Sequence, residues 1–516
     1  MTIPDYLEKN ARHYPTKTAI IVPGDRSCTF IELKERSYRL ANGLMAAGLK
    51  KGDRVAILAE NCFEYPEMYF GIGKAGGVAT PLSFRFAPPE VVHLINESGA
   101  RILIVQDKYV DLIQSVRPEL KSVEQYICVG NTADGMRGYE DLLASAPATD
   151  PGVEIAMEDI FCLMHTGGTT GVPKLTVLTH RNLLSCAVVW IVECGFTYGD
   201  VFMVISPLFH TGGAWPLFFS FILGNTFVVQ KKYNVDEMLK TIEQEKVTAS
   251  MWMSQLIPGI ITHPDVEAKK YDLSSLRIIL AGAAVLPEPH LRRLLELFPG
   301  IRVCNAGGQT ECGIFTGMHL DECIDNFPEK LASAGRASIH MRIKIVDEQD
   351  NELPADEAGE LCVRGEGVMK GYWNKPEESA WSLRGGWQHT GDICKTDKDG
   401  YLYYVDRKKD MIKTGGENVY SKEVEDVLYL HPAVAGAAVI GVPDEKWGEA
   451  VAALIIAKEG KEITQEELVA HCRKHIAGYK CPKLIEFRRE FPQTSLGKID
   501  KKALREPYWK ELKRAL

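Results

Sequence analysis

The decapeptide His165-Thr166-Gly167-Gly168-Thr169-Thr170-Gly171-Val172-Pro173-Lys174 carries the densest chemical signal in the chain. Three glycines and three threonines fill six consecutive positions, which suits neither a helix nor a regular strand. Glycine lets backbone N–H groups approach phosphate oxygens, threonine hydroxyls add donors, and the lysine adds charge. The apolar run Ile160 to Met164 leads directly into it, so a strand feeding a phosphate loop is expected. It is not a Walker A loop: Pro173 precedes the lysine and no Ser or Thr follows it.

Other chemistries fail on context. Gly71, Gly73 and Gly76 satisfy G-x-G-x-x-G, but they follow a helical pattern and lead into a strand, the reverse of a dinucleotide site. Neither G-x-S-x-G nor H-E-x-x-H occurs. The 13 cysteines include no Cys-x-x-Cys pair, which argues for buried thiols in a reducing cytoplasm rather than structural zinc or a secreted scaffold.

The elements that must position the loop follow from patterning. Apolar residues at Leu33, Leu40, Leu44 and Ala47 mark a helix ended by Gly48; Arg54–Glu60, Val78–Ser83 and Arg101–Asp107 read as short buried strands. Such alternation implies a mostly parallel sheet covered on both faces, and it returns between 159 and 317. Val201 to Gln230 has no charged residue, but six Pro, Gly and Asn positions cut it into strand, loop, helix and strand, too short to span a bilayer. After Gly335 shorter alternating strands predict a small β-rich unit. The charge run Asp406-Arg407-Lys408-Lys409-Asp410 marks a boundary, giving domains 1–406 and 407–516. The expected fold is α/β: a large N-terminal domain of parallel-rich sheets covered by helices plus a small β-rich unit, then a small mobile α+β C-terminal domain.

Composition agrees. A chain of 516 residues, 45% hydrophobic and 25% charged, is neither disordered nor a disulfide scaffold, and a net charge of -9 argues against nucleic acid as a partner. Residues 471–516 nevertheless carry +8, either a solvated face or one side of a site for an anionic ligand. The start MTIPDYLEKN is too charged for a signal peptide, and no transmembrane segment is expected.

Five further segments resemble, in order, motifs of the adenylate-forming acyl-CoA synthetase and ligase superfamily. They are Pro207–Gly213, Ala281–Pro287, Asn305–Glu311, Thr390–Asp392 and Asp406–Glu425; a sixth, Pro492–Lys501, lies near the end. The resemblance covers essentially the whole chain. It implies a carboxylic acid, ATP and coenzyme A as substrates, with Mg2+ as cofactor. The acid attacks the α-phosphate to give an acyl-adenylate and pyrophosphate, and a thiol then displaces AMP.

The resemblance also assigns residues. ATP is held by Thr166, Gly167, Gly168, Thr169, Thr170, Gly171 and Lys174. Ala281, Gly282, Ala283 and Ala284 with Asn305, Ala306, Gly307 and Gly308 form the adenine slot, and Gln309 and Thr310 also bind the nucleotide. Asp392 and Arg407 take the ribose. Glu311, alone a helix cap, becomes the metal carboxylate; His210, alone a core histidine, becomes the residue gating the acyl channel. Lys498 bridges acid and α-phosphate during adenylation, Lys409 is the hinge, and Gly415, Gly416 and Glu417 border the coenzyme A tunnel. Gly307 departs from the pattern, since many relatives stack an aromatic residue on adenine there. Val189, Trp190, His210, Trp215, Met251, Trp252 and Gly313 would line the acyl pocket, large and apolar, favouring a fatty, alicyclic or aromatic monocarboxylic acid. Transfer to a carrier-protein thiol is the alternative acceptor, a catalytically dead scaffold the contrasting class, and a homodimer one expectation for assembly.

Overall fold

The computed structural model describes residues 1–166, 173–254, 256–282, 286–414, 417–444, 446–494 and 498–510. Two large sheets carry most of the chain. One has eight strands, with parallel neighbours at its centre: Ile160–Thr166, Val78–Leu82, Arg54–Leu58, Ile102–Gln106 and Gln125–Val129. Its edge beyond Ile160–Thr166 is antiparallel, formed by Lys174–Thr179 and then the two-residue strand Gly371–Tyr372. The other has nine strands. At its heart Thr226–Val229, Val201–Val204, Ala249–Met253, Ile278–Gly282 and Arg302–Gln309 run parallel, and Gly313–His319 returns antiparallel. The N-terminal hairpin Thr18–Val22/Arg26–Thr29 joins this second sheet through Thr226–Val229.

Local sequence explains the covering helices. Phe30–Ala46 opens on a capping box in which the Thr29 backbone N–H donates to Glu32 Oε2 (2.8 Å). Thr179 and Asn182 repeat the device at His180–Cys194. Val201 to Gln230 is strand, loop, helix (Thr211–Leu223) and strand, as patterning predicts. Among the described residues no helix is long and apolar enough to cross a membrane. Gly71 and Gly73 lie inside the helix Glu64–Lys74, and Gly76 precedes the strand Val78–Leu82.

A four-stranded antiparallel sheet (Met341–Val346, Gly359–Gly365, Gln388–Thr396, Leu402–Arg407) forms the predicted β-rich unit. The next strand, Ile412–Thr414, belongs to the C-terminal sheet built on Val434–Asp444 and Gly448–Ala457. Part of the basic tail is consumed there: Lys501 pairs with Glu425 (2.7 Å) and Arg505 with Asp410 (3.2 Å).

Candidate active site

The strands Ile160–Thr166 and Lys174–Thr179 are antiparallel, and Thr166 faces Lys174 as their last pair. Gly167, Gly168, Thr169, Thr170 and Gly171, expected to form the phosphate loop, lie outside the described residues, between these two strands in the sequence. The Lys174 ammonium pairs with Glu378 and lies 4.9 Å from the Tyr372 ring centre. Tyr372 is held by pairing with Thr176, and its hydroxyl donates to Glu311 Oε1 (3.2 Å). The Met369 N–H donates to the Glu311 carbonyl (2.7 Å). Burial raises the Glu311 pKa; its own backbone, the Tyr372 and Thr166 hydroxyls and Arg407 oppose that rise. Thr166, Lys174 and Glu311 thus meet in one place.

Asp392 and Arg407, the residues expected at the ribose, are also brought together. Asp392 and Arg407 face each other across two strands of the four-stranded sheet. Asp392 Oδ1 lies 2.7 Å from Arg407 Nε, and its Oδ2 accepts from Gln309 Nε2 (2.5 Å). Burial raises the Asp392 pKa, while Arg407, Gln309, Lys498 and Lys409 pull it down in that order. One carboxylate is therefore surrounded by donors from three parts of the sequence.

The segments expected to form the adenine slot lie at the carboxyl ends of parallel strands, where open α/β sheets bind ligands. Ala281 pairs with Asn305 and Gly282 with Ala306; Thr310 and Glu311 follow directly. Ala283 and Ala284 lie outside the described residues. The register breaks between Gly307 and Gly308. A Cβ at Gly307 would meet Thr316 Oγ1 at 2.5 Å, Phe315 Cε2 at 3.3 Å and the Tyr404 hydroxyl at 3.4 Å. The space an aromatic residue would need is already filled, so glycine is dictated by its neighbours.

On the acyl side, His210 caps the helix Thr211–Leu223 by accepting the Gly212 N–H at Nδ1 (3.1 Å). That bond assigns the proton of the neutral ring to Nε2. Burial, followed by repulsion from the Lys498 ammonium, depresses the His210 pKa to about 4. A Cβ at Gly212 would lie 3.4 Å from His210 Nδ1 and 3.7 Å from Met251 Sδ, so His210 and Met251 share a wall. Trp215 is one turn further along the same helix. Val189 and Trp190 lie on the neighbouring helix His180–Cys194, in the same buried cluster.

Two assignments need correction. Trp252 is fully buried on the opposite face of the nine-stranded sheet, packed edge-on against Phe298 at 5.8 Å. Successive residues of a strand point to opposite faces, so Met251 and Trp252 cannot line one wall. Gly313 offers no open wall either: a Cβ there would meet Cys186 Sγ at 2.1 Å, and its φ of +69° independently favours glycine.

Near Lys498, Gln493 bridges Ile499 and the Lys498 N–H donates to Thr494 Oγ1 (3.3 Å). The side chain is solvent-exposed yet hemmed in by protein, and this crowding, ahead of repulsion from Arg407, lowers its pKa. Lys498 therefore lies near Asp392, Arg407 and His210. Lys409 sits between two anchors: the Lys408 N–H donates to the Gly391 carbonyl (2.9 Å), and Arg505 donates to the Lys409 carbonyl (3.1 Å). Gly415 and Gly416 lie outside the described residues, and the exposed Glu417 opens the strand Glu417–Val419 of the C-terminal sheet.

Sequence reading overlooks Tyr372 and Glu378. Their one local signal is the stretch Gly371 to Ser382, a short strand before a Pro-started helix, and nothing in it points to Glu311 or Lys174.

Comparison with known proteins extends this geometry. Residues 7–373 match the AMP-binding enzyme family, and residues 423–498 match the AMP-binding enzyme C-terminal domain. A feruloyl-CoA synthase of Amycolatopsis is 37% identical over 96% of this chain and 97% of its own. The long-chain-fatty-acid–CoA ligase FadD13 of Mycobacterium tuberculosis is 32% identical over 97% of each chain. The solved structure of the anthranilate CoA ligase AuaEII with anthranoyl-AMP superposes with a TM-score of 0.86 at 30% identity, covering 98% of this chain and 97% of that one.

Proposed function

The chain belongs to the AMP-binding enzyme family and is an AMP-forming acid–CoA ligase, and on that premise we propose that its acid is an aromatic monocarboxylate bearing a hydrogen-bonding ring substituent. One observation carries the choice of acid: the indole N–H groups of Trp190 and Trp215 are buried with no hydrogen-bond partner among the described residues. A buried donor left unpaired costs about 1–3 kcal/mol, and a ring oxygen or nitrogen of the acid would satisfy it. Trp252 has an unpaired indole too, but across the sheet from His210; position singles out the other two. The likeness to a feruloyl-CoA synthase and an anthranilate CoA ligase supports this class over straight-chain acids.

In this reading Thr166 to Lys174 hold the triphosphate, Asp392 with Arg407 the ribose, and the strand ends around Gly282 and Asn305 the adenine. Neutral His210 stands beside the reacting carboxylate. A carboxylate oxygen attacks the α-phosphorus, the bond to the bridging oxygen breaks, and pyrophosphate leaves with that electron pair. Lys498 bridges the acid and α-phosphate oxygens, so two anions approach each other without bare repulsion. The coenzyme A thiol, giving up its proton, then attacks the acyl carbonyl and AMP departs. The small domain beginning at residue 407 turns about Lys409 between the two steps, which brings Gly415, Gly416 and Glu417 to the thiol.

A magnesium ion fits the donor set, because the Glu311 carboxylate and Thr166 hydroxyl are hard oxygen ligands brought together beside the phosphate-loop strands. When bound it supplies charge neutralisation for the phosphates. All thirteen cysteines are free and buried, which supports a reducing cytoplasmic setting.

A panel of benzoic and cinnamic acids, with and without ring hydroxyls, set against straight-chain acids and scored by coenzyme A-dependent AMP release, tests the acid. Hydroxylated aromatic acids are expected to lead. Trp190→Phe or Trp215→Phe should cut the preference for the hydroxylated over the plain acid roughly 3–10-fold, the worth of one hydrogen bond. A panel led by straight-chain acids would overturn the assignment, as would variants that slow every acid equally.

A further inference from the structure

The loop that presents His210 is held from behind by a residue of the other sheet. Asn61 follows the strand Arg54–Leu58 of the eight-stranded sheet, is 6% exposed, and is 149 positions before His210. Its side-chain oxygen accepts the Leu208 N–H (2.8 Å), and its amide nitrogen donates to the carbonyls of Ser206 (3.1 Å) and Gln230 (3.0 Å). Both amide hydrogens and the carbonyl are used, so the amide orientation is fixed by its partners. The three contacts tie the end of Arg54–Leu58 to the loop after Val201–Val204 and to the end of Thr226–Val229. Tyr69, from the helix Glu64–Lys74, adds a fourth by donating its hydroxyl to the Leu208 carbonyl (2.7 Å).

The consequence reaches both halves of the site. Phe209, held between Leu208 and His210, stacks on His165 (5.7 Å between ring centres), and His165 immediately precedes Thr166. Beyond Phe209, the His210 carbonyl accepts the Gly213 and Ala214 N–H groups (2.9 Å each) and starts the helix that carries Trp215. Gly213 fits because a Cβ there would lie 2.2 Å from the Pro207 carbonyl oxygen. The loop is thus pinned at Leu208 by Asn61 and Tyr69, and at His210 by its own helix.

We propose that Asn61 is a positioning residue for the acyl half of the reaction: its amide holds residues 206–208 so that His210 meets the reacting carboxylate. This rests on the reading of His210 as the residue beside that carboxylate. A side chain that only stabilised the fold would reduce the fraction of active enzyme and leave Michaelis constants alone. A positioning residue acts on the acid and not on ATP.

The test is a double-mutant cycle on the full chain, read by pyrophosphate exchange with active-site titration. Asn61→Ala should lower kcat/KM for the acid at least tenfold while the KM for ATP stays within twofold. In a His210→Ala background the same change should cost less than twofold further, because the group it positions is gone. Tyr69→Phe removes one hydroxyl without emptying space; it provides the second arm if Asn61→Ala does not fold, with a smaller acid-side loss that also vanishes in the His210→Ala background. Multiplying losses in the double variant, or equal rises in both KM values, would overturn the proposal while leaving the His210 reading intact. A His210→Ala enzyme unchanged toward the acid would overturn both.

Discussion

Adding one methyl group at Gly307 is a sharp probe of the nucleotide slot. The new Cβ would sit 2.5 Å from Thr316 Oγ1, with Phe315 and Tyr404 also close, so the strands Arg302–Gln309 and Gly313–His319 must part. Overpacking of this kind costs about 1–3 kcal/mol. At 1.4 kcal/mol per tenfold, this is a loss of roughly 5–150-fold. It should fall on the slot, as a raised KM for ATP in pyrophosphate exchange and weaker AMP binding at equilibrium, with the KM for the acid less affected. The companion change is Thr316→Ala. The Thr316 hydroxyl is buried without a partner among the described residues, so its removal forfeits no hydrogen bond seen there, and Gly307→Ala/Thr316→Ala should regain most of the lost affinity. A Gly307→Ala enzyme with unaltered nucleotide binding would refute the reasoning, as would a double variant no better than the single.

Three further outcomes are expected. Lys498→Ala should cripple acyl-adenylate formation but leave thioester formation from supplied acyl-adenylate largely intact, and Lys409→Pro should do the reverse by fixing a dihedral at the hinge; equal losses in both steps for both variants would show that the domain does not alternate. Lys498 acts protonated and its pKa is lowered, so adenylation should fall as pH rises through a value below the usual lysine range, and Lys498→Arg should move that fall upward. His210, titrating at about 4, stays neutral above that pH and should add no limb near 6.5; a limb there that disappeared in His210→Ala would contradict its placement.

The sequence shows what is local. Glycines, threonines and lysine mark a candidate phosphate loop; Pro and Gly divide Val201–Gln230; alternation reveals the β-rich unit after Gly335. What escapes it is set by packing between distant segments. Met251 and Trp252 look interchangeable until a strand puts them on opposite faces, a distinction that period-two alternation makes available once the strand is recognised. Gly313 looks like pocket floor until Cys186, over a hundred positions earlier, is found against it. Asn61 belongs to no motif, and its partners lie 145 to 169 residues away. Gly307 was legible as a departure, but its cause, Thr316, is visible only once the return strand is in place.

The order in which the two large sheets close has a consequence for the growing chain. Ile20 and Ile21 pair with Phe227 and Val228. At ~5–20 residues per second, the ribosome needs about 10–40 s to bring those partners out. Until then the N-terminal hairpin has an open edge, and two strands alone are marginally stable in water. The central strands of the eight-stranded sheet, Arg54–Leu58 through Gln125–Val129, are neighbours along the chain and can assemble first. Its edge strand, Gly371–Tyr372, emerges well after Lys174–Thr179, the strand it pairs with. A nascent chain shorter than 372 residues therefore lacks the hydroxyl that holds the Glu311 side chain.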